Sequence, residues 1–382
     1  MILNISLKNF RNYKEREFSF SEKRNLIVGP NAAGKTNLLE SVYLLSTGKS
    51  FRVKGVESEM IKSGEEIARA RGEVEKRGEK IKLEIVLTRG MVMGEKTAKK
   101  RYFVNGIGKK ASDFIGILKA VYFGPEDLDL IVGSPSGRRK YLDNVLFQVD
   151  SEYIRSSLSY EKGLRTRNKI LEEIREARFQ AKTTNLLNYN LEIERKKLFF
   201  WDQLLIKNGN YITAKREEFI NFLNNRREIF DGLRLESQSE KFPCFNIEYD
   251  RSAISTERLA QYEIEEIAAG STLVGPHRDD FKVILVNKEA SEMGGARDLA
   301  VYGSRGEQRL AVLWMKLGEL SFVKTKTNEE PILLLDDIFS ELDLAHRRLV
   351  YDITGETQTI ITTADMEIID EQWLKDIKII KL

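Results

Sequence analysis

Residues 29–36 read GPNAAGKT and match the pattern G-x-x-x-x-G-K-[ST] at every fixed position. In such a loop, backbone N–H groups hold phosphate oxygens, the lysine reaches the outer phosphates and the hydroxyl group ligates Mg²⁺. We therefore expect Lys35 and Thr36 to hold the β- and γ-phosphates and the metal ion. The residues predicted to surround the nucleotide are Gly29, Pro30, Asn31, Ala32, Ala33, Gly34, Lys35, Thr36 and Asn37.

A second stretch, ILLLDD at 332–337, is an apolar run that ends in two carboxylates. A buried parallel strand delivers an Asp to a metal ion at its C-terminal end in this way. We predict that Asp336 supports the metal ion through a water molecule and that Asp337 polarises the attacking water. The other interpretation of Asp337 is a cap carboxylate for the segment that follows.

The surrounding patterns are those of a nucleotide-binding α/β fold. A short apolar run at 25–28 precedes the phosphate loop, and an apolar helix over 37–45 follows it. Asn105-Gly106 indicates a hairpin, and periodicity predicts a helix over 307–324. Further strands are predicted at 67–89, 120–123, 245–249, 282–286, 332–336 and 359–363.

Between these two halves the character of the chain changes. From 137 to 225 there are few Gly or Pro residues, and apolar residues recur at three- and four-residue spacing, which favours two or three long helices. The heptads are not sustained enough for a long coiled coil. We therefore predict a P-loop NTPase head, a mixed sheet with helices, that carries an inserted α-helical domain. The predicted boundaries are 1–136, 137–240 and 241–382.

The segment SRGEQ at 304–308 opens an apolar helix. A serine and exposed N–H groups at a helix N-terminus form an anion site. Ser304 and Glu307 also fit the capping box S-x-x-E, and the two interpretations are compatible.

Composition excludes several classes of protein. The chain of 382 residues has 32% charged and 41% hydrophobic residues, which is typical of a globular protein with two or three domains. It has no apolar run of membrane-spanning length and no secretion signal. Cys244 is the one cysteine, so no internal disulfide can form and a cytoplasmic location is expected. The net charge of +3 is too small to indicate nucleic acid by itself.

Local basic clusters are the candidates for nucleic-acid binding. Residues 138–235 contain 20 Lys and Arg against 14 Asp and Glu, an excess of six. Such clusters suit salt-sensitive, sequence-independent phosphate contacts. A solvated helix face with i,i+4 ion pairs is the alternative. The tentative DNA-contacting residues are Lys99, Lys100, Arg101, Lys109, Lys110, Arg138 and Arg139.

The order GPNAAGKT, SRGEQ, ILLLDD and SELD resembles that of the ABC-type ATPases of the SMC-like DNA-repair group. Further segments are similar to the RecF family within that group. They span almost the whole chain, and they are NFRNY at 9–13, TGKSFR at 47–52, F-x-PEDL at 123–128, GSP at 133–135 with Arg138 and Arg139, and GPHRDD at 275–280.

The resemblance implies an ABC-type ATPase head in a cytoplasmic bacterial DNA-repair protein that binds ATP and Mg²⁺. Such proteins form ATP-dependent homodimers, bind DNA at gaps and single-strand/double-strand junctions, and work with RecR and RecO to bring RecA onto single strands. The signature of one subunit caps the γ-phosphate held by the other. This would bring Ser304, Arg305, Gly306 and Gln308 to the nucleotide. Arg11 and Asn12 would contact it as well, with a surface arginine as the alternative for Arg11.

Two departures from the group's pattern affect the expected rate. Asp337 stands where a glutamate is usual, and its shorter side chain predicts a weak, slow DNA-dependent ATPase. The switch position, often histidine, is threonine at 362–363, and we assign this role to Thr363. A hydroxyl group cannot carry the charge of an imidazolium. The sequence leaves open whether Glu126 touches the metal ion, and whether His277 is structural or lies near nucleotide or DNA.

Two other functions compete. A P-loop kinase for a small molecule would need an acceptor pocket, and it leaves SRGEQ unexplained. The ATPase subunit of another SMC-like repair complex would be expected to carry a long coiled coil between its halves, which residues 137–225 do not supply.

Overall fold

The computed structural model describes residues 1–52, 56–184, 191–226, 243–286, 296–340, 344–366 and 376–382. Its strands are β1 (Ile2–Phe10), β2 (Tyr13–Ser19), β3 (Arg24–Val28), β4 (Ile67–Lys76), β5 (Glu79–Thr88), β6 (Met91–Val92), β7 (Glu95–Lys96), β8 (Lys100–Val104), β9 (Ile107–Lys109), β10 (Ala120–Phe123), β11 (Cys244–Asp250), β12 (Asp280–Val286), β13 (Ala296–Asp298), β14 (Ile332–Asp336), β15 (Thr359–Thr363) and β16 (Ile377–Lys381).

The helices are α1 (Lys35–Thr47), α2 (Ala111–Phe114), α3 (Asp129–Val132), α4 (Pro135–Val149), α5 (Ser151–Thr184), α6 (Leu191–Asn225), α7 (Thr256–Gln261), α8 (Glu263–Ala269), α9 (Leu299–Tyr302), α10 (Arg305–Thr327) and α11 (Leu344–Ile353). Among the residues that the structure describes, no helix is both long enough and apolar enough to cross a membrane.

A five-stranded parallel sheet, ordered β10-β14-β15-β3-β16, positions the chemistry. Strands β3 and β10 precede the helical insertion and the other three follow it, so both halves of the chain build one sheet. Strands β10, β14 and β15 are buried along their whole length, which suits the apolar runs of β10 and β14. The α/β class is confirmed, although this sheet is wholly parallel and the antiparallel strands form separate sheets. Strand β16, which no pattern predicted, pairs with β3 at the edge.

Helix α1 lies between this sheet and a six-stranded antiparallel sheet, ordered β2-β1-β4-β5-β8-β9. It is buried on nearly every side, which suits its apolar composition. It begins at Lys35, two residues before the predicted start, so Lys35 and Thr36 belong to its first turn. The predicted hairpin is present as β8–β9, with positive φ at both Asn105 (51°) and Gly106 (81°).

The opposite face of the parallel sheet packs against α10, α4 and the proximal parts of α5 and α6. Trp314 of α10, Phe219 of α6 and Phe245 of β11 are fully buried in this core. The insertion therefore shares a core with the head near its base. Farther out, Leu171, Ile174 and Leu198 form a small separate cluster with Ile267. Helix α5 has 34 residues and is therefore about 51 Å long.

Candidate nucleotide-binding site

The phosphate loop connects the C-terminal end of β3 to the first turn of α1, as the sequence predicts. Gly34 has φ of 112°, and a Cβ atom there would lie 2.7 Å from both Asn12 Nδ2 and the Tyr13 hydroxyl oxygen, so only glycine fits. Lys35 is buried, and its Nζ donates to the carbonyl oxygens of Gly29 (2.7 Å) and Pro30 (3.1 Å). The loop thus holds the ammonium group over its own backbone, where phosphate oxygens would be received.

Three hydroxyl groups converge on the Asp336 carboxylate at the C-terminal edge of the sheet. Thr36 Oγ1 donates to Asp336 Oδ1 at 3.1 Å, and Thr362 Oγ1 donates to the same oxygen at 2.6 Å. Tyr122 at the end of β10 donates to Asp336 Oδ2 at 3.3 Å. Burial, with the charge of Asp336, raises the pKa of Tyr122 well above its ordinary value, so its hydroxyl stays a donor.

This donor set fits Mg²⁺. The ion prefers oxygen ligands and is usually held by one or two carboxylates together with substrate phosphates. Asp336 and Thr36 supply a carboxylate and a hydroxyl oxygen side by side. In the described part of the chain, no group of three His, Cys, Asp or Glu side chains could hold a metal ion by itself. Phosphate oxygens of the nucleotide would therefore complete the coordination of the ion.

Asp337 follows in an unusual backbone conformation. Its φ is 53°, and its backbone N–H donates to the carbonyl oxygen of Thr362 (3.2 Å) and to Thr362 Oγ1 (3.1 Å). Thr362 thus fixes both carboxylate residues, one through its hydroxyl group and the other through its backbone. A single 3-10 turn, Ile338–Ser340, comes next. Of the SELD motif, Glu341 to Asp343 lie outside the described residues.

The switch-position prediction selected Thr363, whereas the hydroxyl group beside Asp336 is that of Thr362. Successive side chains of a strand point to opposite faces, so only one of the two threonines can face the carboxylate. Thr363 Oγ1 instead donates to the carbonyl oxygen of Asp365 at 2.8 Å and forms a local turn. We therefore replace Thr363 by Thr362 among the candidate site residues.

The Arg11 side chain is held by α1. It is therefore neither an unbound surface side chain nor free to turn toward the nucleotide site. Its guanidinium makes two hydrogen bonds of 2.7 Å to the fully buried Glu40 carboxylate of α1. Asn12 Nδ2 donates to the carbonyl oxygen of Ala33 at 3.0 Å, and Asn37 Nδ2 donates to Asn12 Oδ1 at 2.9 Å. Arg52 joins this chain by donating to Asn37 Oδ1 at 2.8 Å. These residues border an open groove beside the phosphate loop.

Glu126 belongs to the same hydrogen-bonded group as Asp336. It interacts with the Tyr122 hydroxyl group, and burial of its carboxyl group raises its pKa. The neighbouring Asp127 is held from two sides, by the backbone N–H of Gly124 (2.9 Å) and by Lys316 Nζ of α10 (3.0 Å). This places a buried ion pair between α10 and the segment that carries Glu126.

The signature segment lies at the surface. Ser304 caps α10 in a two-way capping box with Glu307, as the sequence predicts. Ser304, Arg305 and Gly306 are exposed, and a side chain at Gly306 would point into open space. Gln308, a predicted nucleotide ligand, is buried, and its amide donates to the carbonyl oxygens of Leu299 (2.9 Å) and Gly303 (3.4 Å). In this structure the Gln308 side chain therefore stabilises the backbone of the segment that precedes α10.

The basic residues separate into two groups. Lys99, Arg101, Lys109 and Lys110 are exposed, in agreement with a surface role. Lys100 is largely buried and ion-paired with Glu57. Arg138 is ion-paired with Asp280 (2.6 Å) and also donates to the carbonyl oxygen of Gly133 (2.8 Å). Because both side chains are held in ion pairs within the protein, we no longer assign Lys100 and Arg138 to the DNA-contacting residues.

His277 is a structural residue. Its Nδ1 lies 2.8 Å from the Tyr160 hydroxyl group and its Nε2 lies 3.1 Å from the carbonyl oxygen of Thr272. Burial lowers the pKa of His277 to about 4, so the ring is neutral at pH 7. Sequence reasoning missed Tyr122, which no local motif marks, and of the two threonines at the switch position it did not select Thr362. The parallel register of β10, β14 and β15 is what brings them to Asp336.

Comparison with known proteins agrees with this geometry. Residues 1–380 match the family model described as the RecF/RecN/SMC N-terminal domain. The DNA replication and repair protein RecF of Bacillus cereus (strain G9842) is 35% identical over 389 residues, which cover 99% of this chain and 96% of the relative. RecF of Bacillus thuringiensis (strain Al Hakam) is similar to the same extent.

Solved structures give the same result at the level of the fold. The structure of the recombination mediator protein RecF-ATP in the RecFOR pathway superposes with a TM-score of 0.79 at 31% identity, covering 97% of this chain and 93% of that one. A second structure, named RecF-ATPrS, has the same TM-score and identity. The chain therefore belongs to the RecF family of DNA replication and repair proteins, whose head has the fold of ABC-type ATPases.

Proposed function

We propose that this chain is an ATP-dependent DNA-binding protein of recombinational repair and replication restart in the cytoplasm. ATP with Mg²⁺ drives two copies to associate and to bind DNA at single-strand gaps or junctions. Slow hydrolysis then releases the complex. A solved relative carries the words RecF-ATP and RecFOR pathway. They support ATP as the nucleotide, and RecO and RecR as the partners with which RecA is brought onto single strands.

The observation that carries this proposal is the meeting of Lys35, Thr36, Asp336 and Thr362 at one edge of the sheet. A phosphate-loop lysine, together with a carboxylate 3.1 Å from the hydroxyl group of the next residue, fits the β- and γ-phosphates of a nucleotide and a metal ion. In the ATP-bound state the Lys35 ammonium exchanges the carbonyl oxygens of Gly29 and Pro30 for phosphate oxygens. Thr36 and Asp336 would hold Mg²⁺, and the ion would supply positive charge against the phosphates.

Thr362 and Asp337 then determine the rate of ATP hydrolysis. Thr362 holds the Asp336 carboxylate through Oγ1 and fixes the backbone of Asp337, whose carboxylate orients the attacking water. Neither Thr362 nor Asp337 brings a positive charge to the phosphate, and the aspartate side chain is short. These features support slow turnover.

The association of two copies is supported by the exposed signature segment. Among the described residues, none of the hydrogen bonds made by residues 303–308 reaches residues 29–37. Val301 and Tyr302, which immediately precede the segment, are 67% and 68% exposed. An apolar pair beside an anion-binding helix end suits a contact with a second protein surface that carries the phosphates.

Fluorescence anisotropy with a labelled gapped duplex tests this proposal. The wild-type protein should bind the DNA with ATP and Mg²⁺ much more tightly than without nucleotide. Lys35→Met loses the charged contacts of the ammonium group, each worth about 1.5–3 kcal/mol, so ATP should bind at least about tenfold more weakly. The ATP-dependent gain in DNA affinity should disappear as well. Lys23→Met, at an exposed lysine before β3, is the matched control. Equal DNA affinity with and without ATP would contradict the proposal.

A further inference from the structure

A cleft of about 560 Å³ separates the helical insertion from the antiparallel-sheet side of the head. One wall comes from β8 and α2, and includes Tyr102 and Ala111. The other wall comes from α4 and α5, and includes Arg139 and Leu158. The segment after α1 closes one end with Lys49. The cleft is distinct from the phosphate loop, and none of the residues assigned above to nucleotide or metal lines it.

Two cations in this cleft form no direct ion pair among the described residues, although Arg139 lies near Asp143, Asp279 and Asp280. Lys49 Nζ lies 4.6 Å from the centre of the Phe147 ring, and Arg139 Nη1 donates to the carbonyl oxygen of Asp279 at 2.7 Å. Among the described residues, neither side chain forms an ion pair. Both are nevertheless held in place by these contacts. Burial and the nearby Arg216 lower the pKa of Arg139, although the carboxylates of Asp280, Asp279 and Asp143 act in the opposite direction.

The acidic residues of the cleft do not neutralise these two cations. Asp143 is bound by Arg216 (2.8 Å) and by the Tyr153 hydroxyl group (2.6 Å). Glu161 is solvent-exposed and paired with Arg165 at 3.6 Å. The cleft therefore presents net positive charge to an occupant.

A track of exposed basic residues leads into the cleft from the β8–β9 hairpin. Lys109 pairs across the hairpin with Tyr102, a residue of the cleft wall. Lys110 directly precedes α2, whose first residue, Ala111, lines the same wall. The fold thus joins the basic cluster of the hairpin to Arg139, although the sequence separates them by about thirty residues. A linear series of cations suits a polyanionic backbone better than it suits a compact anion.

The interior of the cleft decides which form of nucleic acid fits. Its volume of about 560 Å³ lies in the range that encloses one small ligand, so the cleft is too small to enclose a duplex. Its floor is apolar, with Leu158 54% exposed, and suits the flat face of an unpaired base.

We propose that a single-stranded DNA segment follows the basic track from Lys109 and Lys110 into this cleft, where Lys49 and Arg139 contact its phosphates. The proposal rests on the proposed function and assigns the single-stranded part of a gap to one surface. Acidic peptides with apolar side chains are the competing occupants, since they share both charge and apolar character.

The test measures the affinity of fluorescein-labelled oligo(dT) for the full chain with ATP and Mg²⁺. Lys49→Glu and Arg139→Gln should each weaken binding by about tenfold, and each should lower the salt slope of log K by about 0.7, as expected for one lost phosphate contact on a single strand. Lys23→Glu, at an exposed site outside the cleft, should change neither quantity. ATP binding should be unchanged in all three variants, which shows that they are folded. With the wild type, an oligo(dT) carrying 4-thiothymidine should photocrosslink to peptides that contain residues 154–164.

The outcomes separate this proposal from the function on which it rests. Wild-type binding of oligo(dT) that is unchanged in both cleft variants, with crosslinks elsewhere, overturns the cleft and leaves the function intact. Wild-type protein that binds neither oligo(dT) nor gapped duplex with ATP overturns the function itself. Displacement of oligo(dT) by a peptide of alternating Glu and Leu, at concentrations below those of unlabelled oligo(dT), overturns the cleft proposal in favour of a protein partner.

Discussion

Thr36 and Asp336 are 300 positions apart in the chain, yet the Thr36 hydroxyl group donates a 3.1 Å hydrogen bond to Asp336 Oδ1. The contact joins the first turn of α1 to the end of β14, elements from opposite sides of the helical insertion. It requires the strand order β14-β15-β3, because β15 alone separates β14, which ends in Asp336, from β3, which leads through the phosphate loop to Thr36. The nucleotide site therefore forms only when both halves of the head are folded together.

The first prediction concerns the two adjacent threonines of β15. Thr362→Val removes the 2.6 Å hydrogen bond to Asp336, so the carboxylate loses one of the groups that orient it. We expect steady-state ATP turnover to fall by about tenfold, in line with the loss of one hydrogen bond to a charged group. Thr363→Val is the matched control, because its hydroxyl group meets only the turn at Asp365. A larger loss in Thr363→Val than in Thr362→Val would return the role to Thr363.

The second prediction concerns the pH dependence of stability. Burial raises the pKa of Glu319 from its ordinary value of 4.5 to about 7, although the adjacent Lys316 acts in the opposite direction. Between these two pH values the folded chain binds more protons than the unfolded chain. The contribution of Glu319 to the free energy of unfolding therefore falls as the pH rises through this window.

Glu319→Gln cannot ionise, so its stability relative to the wild type should rise from about pH 5 to pH 7, by on the order of 3 kcal/mol. Urea unfolding of both proteins at several pH values measures the difference. A difference that does not change with pH would show that Glu319 has an ordinary pKa.

The third prediction separates basic residues of the fold from basic residues of the surface. Arg138→Ala leaves Asp280 without its bidentate partner, at a cost of about 1–3 kcal/mol in unfolding free energy. Thermal denaturation should detect this loss.

The double substitution Lys109→Ala with Lys110→Ala should leave thermal stability unchanged, because both side chains are exposed. It should weaken DNA binding and lower the salt slope by about 1–2. Unchanged DNA affinity in the double variant would remove the hairpin from the DNA-contacting surface.

Local sequence was sufficient for the parts of the site that one segment forms. The phosphate loop, the buried strand that ends in Asp336, the Ser304 capping box and the Asn105-Gly106 turn each carry their physical cause in a few adjacent residues. The family resemblance was confirmed by relatives that match nearly the whole chain.

Sequence could not supply the parts that depend on register. Thr362 and Thr363 are both hydroxylated and both buried, so nothing local indicates which one faces Asp336. Likewise, the local sequence around Lys100 and Arg138 indicates a basic surface. Only the fold shows that Glu57 and Asp280 form ion pairs with these two side chains. Strand β16 has the five-residue sequence IKIIK, which is too short and too irregular to distinguish from a loop.

The most direct test of the account is sedimentation velocity with ATP, Mg²⁺ and DNA. The wild-type protein should sediment as a dimer with ATP and DNA and as a monomer without nucleotide. Lys35→Met should stay monomeric because it binds ATP poorly, whereas Ser304→Arg should stay monomeric although it still binds ATP. A wild-type chain that remains monomeric with ATP and DNA together would contradict the claim that two copies complete the nucleotide site.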